Sequence, residues 1–274
     1  MMRRRTALAL LAGAPWLPSL SAQAQPGDKT VYLSFDTGHM GVANLIADTL
    51  KRFEAKATFF LANEPTLDGG TTLDDVWAPW WKARAAEGHD FGAHTWDHDI
   101  WLEDLPAEGD KPQRFKVRTV AGINAPVVHE ISAEQYGQSL QRVARRFKEM
   151  TGQNLNPIFR APAGKTSPAL LAAAKTAGFT HVGWSPAGFL GDELPSDKFP
   201  NAELLERALK NIRGGDILLA HLGIWSRLDP WAPADLEPLM RGLKDKGFGF
   251  APLREHPRYA ALFSSASSSP ANRS

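Results

Sequence analysis

Short β-rich runs alternate with amphipathic stretches along most of this chain, and this alternation constrains the fold more than any other feature. The first pair is a run at residues 31–35, followed by a segment whose apolar residues recur at helical spacing at Ile46, Leu50 and Phe53. The same pattern predicts further strands at 57–61, 89–93, 157–159, 180–184, 217–220 and 248–253, and helices at 73–86, 140–147, 168–177, 202–212 and 236–246. Repeated strand–helix order indicates an α/β fold with a parallel sheet, closed or open.

Two stretches interrupt the pattern. Residues 102–131 are rich in Pro, Gly and charge, and they are long for a loop, so we expect them to form a rim of a binding groove. Residues 264–274 are nearly all Ser, Ala and Pro, so we expect a disordered tail. The remaining chain, residues 25–263, has the length of one domain.

The N-terminus has the features of a secretory signal peptide. Three arginines at residues 3–5 precede an apolar stretch at 7–20 and small residues that end at Ala24. Pro15 and Pro18 interrupt the apolar stretch, which is too short to span a bilayer comfortably. We expect cleavage after Ala24, no stable membrane insertion, and a periplasmic or secreted protein, by the general or the twin-arginine route.

Charge and cysteine content narrow the chemistry. The 31 Lys and Arg residues are balanced by 30 Asp and Glu, which leaves no field of one sign to attract nucleic acid or anionic lipid. Because the chain has no cysteine, a zinc-like ion has to be held by His and oxygen ligands.

Four candidate reactive side chains each follow a predicted strand. They are Asp36, His94, Arg160 and His221. In a β/α barrel the carboxyl ends of the strands form the active-site face. Any one of these residues could simply close a strand, but four together favour a catalytic site.

His94 and His98 form the strongest local motif. Their imidazoles are four residues apart and can face one point if the segment is a helical turn. Such a pair is a good start on a zinc site.

Four motifs then occur in order: VYLSFDTG at 31–38, HTWDH at 94–98, FRAP at 159–162 and GDILLAH at 215–221. On these motifs the chain resembles the polysaccharide deacetylases of carbohydrate esterase family four, from about residue 30 to about residue 253. The resemblance implies a distorted β/α barrel of about seven parallel strands. It also implies removal of N-acetyl groups from a glucosamine-containing polysaccharide or oligosaccharide, with O-acetyl ester hydrolysis as the nearest enzymatic alternative.

The resemblance assigns a role to each motif residue. His94 and His98 would hold a divalent metal, with zinc the preferred candidate, that polarises the acetyl carbonyl and a water molecule. Asp36 would be the general base and Arg160 its charge-assisted partner, while His221 would protonate the leaving nitrogen.

Other residues are implied at the substrate. Trp184 and Leu218 resemble the family's apolar pocket for the acetyl methyl group, although both are equally well explained as core residues. The backbone N–H near Ala163 would help to hold the oxyanion. Asp192 is a candidate for the acid that tunes His221, and a loop residue is an equally good interpretation of it.

The sequence departs from the family at Thr37, where the family has a second acidic residue that binds the metal. Metal affinity should therefore fall, and the third ligand could be Asp36, His39, Asp97, the Thr37 hydroxyl or water. This departure also raises an alternative from another class, a carbohydrate-binding protein with a degenerate, weakly metal-binding site.

Overall fold

A computed structural model describes residues 29–106, 109, 112–122 and 124–266. The predicted signal peptide at 1–24 lies outside the described residues, as do residues 267–274 of the predicted tail. Residues 264–266 of that tail instead complete the last helix, Ala260–Ala266. Within the described part of the chain, no helix has the length and apolar character needed to cross a membrane.

The described chain contains ten strands and seven α-helices, numbered here in chain order. The strands are β1 Thr30–Asp36, β2 Thr58–Leu61, β3 Asp90–Ala93, β4 Asp99–Asp104, β5 Arg114–Thr119, β6 Val127–Ser132, β7 Ile158–Phe159, β8 Thr180–His181, β9 Ile217–His221 and β10 Gly249–Ala251. The helices are α1 Ala43–Arg52, α2 Ala78–Ala86, α3 Ala133–Thr151, α4 Pro168–Thr176, α5 Asn201–Asn211, α6 Glu237–Asp245 and α7 Ala260–Ala266.

Seven parallel strands form one sheet that curls into a half-barrel. The order is β10–β1–β2–β3–β7–β8, and β9 also pairs with β1. The segment that follows β8 is linked to β9 by isolated hydrogen bonds, such as the one that the Ser185 N–H donates to the Ile217 carbonyl at 3.0 Å. The expected α/β fold with a distorted barrel of parallel strands is confirmed.

Side chains alternate between the two faces of this sheet, as strand geometry requires. One face of β1 and β2, with Leu33 and Phe59, joins the large core that the helices cover. The other face, with Tyr32 and Phe60, forms a smaller cluster closed by Leu253 and neighbouring residues of the C-terminal segment. Both faces of the central strands are buried, which is typical of parallel sheets.

The prediction of a long loop at 102–131 was wrong in part. Strands β4, β5 and β6 form a three-stranded antiparallel sheet that begins directly after His98. In β5, Phe115 and Val117 are fully buried, while the alternate residues Arg114, Lys116 and Arg118 are partly exposed or exposed. The charged residues that resembled a loop are the outer face of an amphipathic strand.

Candidate active site

The sheet register brings the four strand-end residues to one edge. Asp36 at the end of β1 is the direct neighbour of His221 at the end of β9. Ala93 in β3 pairs with Phe159 in β7, and the residues that follow them are His94 and Arg160. The carboxyl ends of β1, β3, β7 and β9 therefore present these side chains together.

Asp36 and Arg160 form a buried ion pair. Arg160 Nη1 donates to Asp36 Oδ1 at 2.7 Å, and both residues are almost fully buried. Arg160 Nη2 also donates to the Ser34 hydroxyl at 2.7 Å, and its guanidinium lies 4.2 Å from the centre of the Phe60 ring. Burial raises the pKa of Asp36, but the charges of Arg160, His94 and His221 outweigh it and hold this pKa below the ordinary value. Asp36 is therefore ionised at neutral pH.

His94 is fixed as a neutral imidazole that faces Asp36. Its Nδ1 lies 2.8 Å from the Arg160 carbonyl oxygen, which makes Nδ1 the protonated nitrogen and leaves the Nε2 lone pair free. Nε2 lies 3.5 Å from Asp36 Oδ2. Burial lowers the pKa of His94 to about 4, although the Asp36 charge opposes the shift. The neutral form is the one that binds metals.

His98 lies beside His94, but not on a helical turn. Thr95 and His98 have φ angles of 58° and 53°, in the left-handed region, so the segment is an irregular turn and the helical turn named as a condition for the motif does not form. The two imidazole rings are 4.8 Å apart between centroids and inclined at 79°. His98 Nδ1 is buried and has no hydrogen-bond partner among the described residues.

These donors fit a divalent cation in part. A free Nε2 on His94 and an unpaired, buried Nδ1 on His98 are the nitrogen donors that zinc accepts. Within the described residues, however, no three His, Asp or Glu side chains are placed to hold one ion. The position of a third protein ligand is open.

The structure separates the candidates for that third ligand. Asp36 Oδ2 faces His94, whereas Thr37 Oγ1 accepts a hydrogen bond from Ala62 N–H at 3.0 Å. Asp97 Oδ1 lies against Gly122, where a Cβ would approach it to 2.8 Å, and the charged groups that act on Asp97 are Asp99, Arg142 and His129. His39 packs against Trp225, with 5.1 Å between ring centroids.

His221 is paired with Asp192. Both Asp192 oxygens lie 3.1 Å from His221 Nδ1, and Oδ2 accepts the His221 backbone N–H at 2.7 Å. Burial alone would lower the pKa of His221, but the Asp192 charge and hydrogen bond, with Asp36 and Glu193, raise it to about 9. His221 is therefore protonated at neutral pH. Of the two interpretations of Asp192, the structure favours the partner of His221.

Trp184 lies at the site, whereas Leu218 does not. The Trp184 ring lies 5.7 Å from the Arg160 guanidinium and packs on Gly164, where a Cβ would approach to 2.5 Å. Leu218 is fully buried in the helix-covered core, on the opposite face of β9 from His221. Its assignment to the acetyl pocket is therefore corrected: Leu219, two residues before His221, shares the face of that histidine.

Ala163 lies in a short turn directly after the Arg160 segment. The turn spans Pro162–Gly164, and Ala163 adopts φ 55° and ψ 15°. The Trp184 ring covers the neighbouring Gly164. This places the Ala163 backbone beside the site.

Known sequences resemble this chain over most of its length. The sequence profile for polysaccharide deacetylases matches residues 23–182, more than half of the chain. A chitooligosaccharide deacetylase of Azorhizobium caulinodans is 26% identical over 250 residues, which cover 85% of this chain and 97% of the relative. The peptidoglycan-N-acetylmuramic acid deacetylase PdaA of Bacillus subtilis is 25% identical over 195 residues, covering 71% of this chain and 60% of PdaA.

Solved structures share the fold at lower identity. The Bc1960 peptidoglycan N-acetylglucosamine deacetylase superposes with a TM-score of 0.61 at 22% identity, over 85% of this chain and 89% of its own. BA3943, a CE4 family pseudoenzyme from Bacillus anthracis, superposes with a TM-score of 0.59 at 19% identity, over 85% of this chain and 66% of its own. The profile match, the ordered motifs and the shared half-barrel lead to one conclusion: the chain belongs to the polysaccharide deacetylase family.

Proposed function

We propose that this protein is a metal-dependent hydrolase that removes N-acetyl groups from an acetylated amino-sugar polysaccharide. The observation that carries the proposal is a pair of opposite protonation states on neighbouring strand ends. The pKa of Asp36 is lowered, so it is a base at neutral pH, and the pKa of His221 is raised to about 9, so it is an acid. Amide hydrolysis needs one of each.

Asp36 takes the proton of the attacking water in this proposal. Arg160 holds Asp36 Oδ1, and the carboxylate therefore stays ionised and keeps Oδ2 directed at His94. A divalent cation held by His94 and His98 would supply Lewis acidity to the acetyl carbonyl and to water. The backbone N–H of Ala163 is a donor for the developing oxyanion.

His221 gives its proton to the departing nitrogen. An amine leaves poorly without protonation, whereas an ester oxygen needs less help. Asp192 keeps His221 protonated and directs Nε2 away from itself, because it occupies Nδ1. The arrangement therefore favours N-acetyl over O-acetyl substrates.

The names of the relatives supply the substrate class. A chitooligosaccharide deacetylase and a peptidoglycan deacetylase each align with most of this chain. We therefore place the substrate among polymers of N-acetylated amino sugars. The predicted signal peptide at 1–24 supports a location in the periplasm or outside the cell, where such polymers occur.

The proposal is tested by acetate release from tetra-N-acetylchitotetraose and from peptidoglycan fragments, after the protein is dialysed against chelator and reloaded with zinc. We expect acetate and an equal amount of free amine, and much less acetate from acetylated xylan. Preferential release from the xylan would instead select the O-acetyl esterase.

A degenerate carbohydrate-binding protein is the second candidate, and Thr37 is the observation that favours it. A neutral residue stands where the family has an acidic metal ligand, and one structural neighbour is a pseudoenzyme. Glycan binding without acetate release at any zinc concentration would select this candidate.

A further inference from the structure

Glu64 lies at the strand end between Thr37 and the histidine pair. Strand β2 has β1 on one side and β3 on the other, so the residues that follow it emerge between Asp36–Thr37 and His94. Two hydrogen bonds hold this segment in place: Ala62 N–H donates to Thr37 Oγ1 at 3.0 Å, and Asn63 N–H donates to the Trp96 carbonyl at 2.7 Å. Glu64 is the next residue.

One carboxylate oxygen of Glu64, Oε2, is buried without a hydrogen-bond partner among the described residues, as is true of His98 Nδ1. A buried polar atom left unpaired is destabilising, and more so when it carries charge. The backbone of Glu64 is fixed by its N–H and carbonyl, which both bond to Thr72, so only the side chain is free to find a partner.

The strand register also brings the Glu64 segment next to His94, because Leu61 in β2 is the direct neighbour of Ala93 in β3 and the His94 N–H donates to the Leu61 carbonyl at 2.8 Å. Asp36 is already held by Arg160, and Glu193, which interacts electrostatically with His98 and His221, is an exposed residue. Glu64 is therefore the best placed of the three.

We propose that Glu64 is the third protein ligand of the divalent cation and replaces the acidic side chain that this chain lacks at Thr37. The inference rests on the proposed function for the presence of the cation. Since no three described His, Asp or Glu side chains converge on one point, the Glu64 side chain turns towards His94 and His98 when the ion binds. Two imidazoles and one glutamate are a known ligand set of catalytic zinc sites, with a fourth position left for water or substrate.

Zinc affinity of the full chain, measured by titration calorimetry with zinc chloride after chelator dialysis, tests the proposal without substrate. Loss of a group that only hydrogen-bonds to a metal ligand weakens metal binding about 10–100-fold. Since Glu64 is proposed as a ligand itself, we expect Glu64→Gln to weaken zinc binding by about 100-fold, at the upper end of that range. The matched control is Glu193→Gln, which removes an exposed carboxylate that interacts with His98 and His221 and should change the affinity by less than about threefold. Equal effects of the two changes, or no zinc binding by the unaltered protein, would overturn the assignment.

A rescue experiment separates ligation from a structural role. Thr37→Asp in the Glu64→Gln background should recover most of the lost affinity, because it restores a carboxylate from the other side of the same position. Thr37→Asp alone should gain less than about tenfold, because Glu64 already fills that position. A large gain from Thr37→Asp alone would overturn the proposal. Thermal unfolding of the metal-free variants shows which ones fold, and if the Thr37 variants do not, the Glu64→Gln and Glu193→Gln pair decides.

The zinc titration and the acetate assay together distinguish failure of this inference from failure of the proposed function. Zinc binding that depends on Glu64 in a protein that releases no acetate would keep this inference and reject the hydrolase. Acetate release with zinc binding unaffected by Glu64→Gln would do the reverse.

Discussion

The two halves of the candidate site differ in how their polar atoms are satisfied. In the paired half, Asp36 bonds to Arg160 and His221 bonds to Asp192, so each charge has a counter-charge. In the open half, made of Thr37, Glu64, His94 and His98, the buried Glu64 Oε2 and His98 Nδ1 have no partner among the described residues. Both halves stand on carboxyl ends of the same sheet.

This difference separates residues that are complete in the folded chain from residues that await a ligand. Buried ion pairs such as Asp36–Arg160 are costly to break, because the remaining charge is left without compensation. Unpaired buried atoms are tolerated where something else satisfies them, and a cation would satisfy both a carboxylate oxygen and an imidazole nitrogen. The paired half should therefore control proton transfer and stability, and the open half should control metal binding.

The largest effect is expected for Asp36, the proposed general base in the paired half. Asp36→Asn should lower acetate release by about 10⁴-fold, at the upper end of what a general base contributes, since it also removes the counter-charge of Arg160. Asp97→Asn is the control, because its carboxylate lies against Gly122 and interacts with Asp99, Arg142 and His129, and it should change the rate less than about twofold. Acetate release is measured for both. An Asp36→Asn enzyme with more than a tenth of the normal rate would remove Asp36 from the role of base.

The acid of the paired half should show a dependence on the leaving group. His221→Ala should lower acetate release from an N-acetylated oligosaccharide by about 10³-fold, within the range for a general acid. On an aryl acetate ester, whose oxygen leaves without a proton, the same change should cost about tenfold or less. The ratio of the two losses is measured with purified variants. Equal losses on both substrates would contradict the assignment of the proton to the leaving nitrogen.

Substitutions in the paired half should lower the free energy of unfolding more than substitutions in the open half. Arg160→Met should lower the free energy of unfolding by about 3–5 kcal/mol, because it leaves Asp36 buried without a counter-charge. His98→Ala should cost less than about 1 kcal/mol in the metal-free protein, because its Nδ1 makes no hydrogen bond to lose. Urea unfolding after chelator treatment measures both. A large loss for His98→Ala would break the distinction between the halves.

The smallest effect is a displacement of the pH profile. The pKa of His221 is raised to about 9, so activity that needs its proton should persist at neutral pH and fall as pH rises through about 9. Asp192→Asn should move this alkaline limb down by about 1–2 pH units, each unit being about 1.4 kcal/mol. Glu193→Gln should move it less, because Glu193 is a smaller cause of the shift. An unmoved limb in Asp192→Asn would show that another group titrates.

The same pairing affects stability with a defined sign. The folded pKa of His221 lies above the ordinary value of about 6.5, so its stabilisation is complete below that pH. It is lost as pH rises through about 9. Asp192→Asn should flatten this part of the stability curve.

Much of the fold could be predicted because the sheet follows a simple pattern. Short apolar strands and periodic helices are visible in the sequence, and the residue after each strand end is read directly once the strand is found. Strand β8 is shorter than the predicted 180–184, because the buried Arg160 side chain binds the backbone just after it. The Val182 and Gly183 carbonyls accept hydrogen bonds from the Arg160 side chain.

The site predictions that failed depend on details of single residues, namely which face of a strand a side chain occupies and which backbone angles a turn adopts. Leu218 is one position from Leu219, and because side chains in a strand alternate between faces, Leu219 and not Leu218 shares the face of His221. The turn at His94–His98 depends on left-handed backbone angles at Thr95 and His98, which no motif encodes. Glu64 belongs to no motif, and its only signal is an unpaired oxygen that appears once the side chains are in place.

The central claim is that Asp36 and His221 act on one bond, as base and acid, and kinetics of acetate release by Asp36→Asn, His221→Ala and the double variant test it most directly. Groups that serve one reaction as a unit are non-additive. The account predicts that the zinc-loaded, unaltered protein releases acetate from tetra-N-acetylchitotetraose and that the double variant is about as slow as the slower single one. A loss in the double variant equal to the product of the two single losses, or no acetate from the unaltered protein, would contradict it.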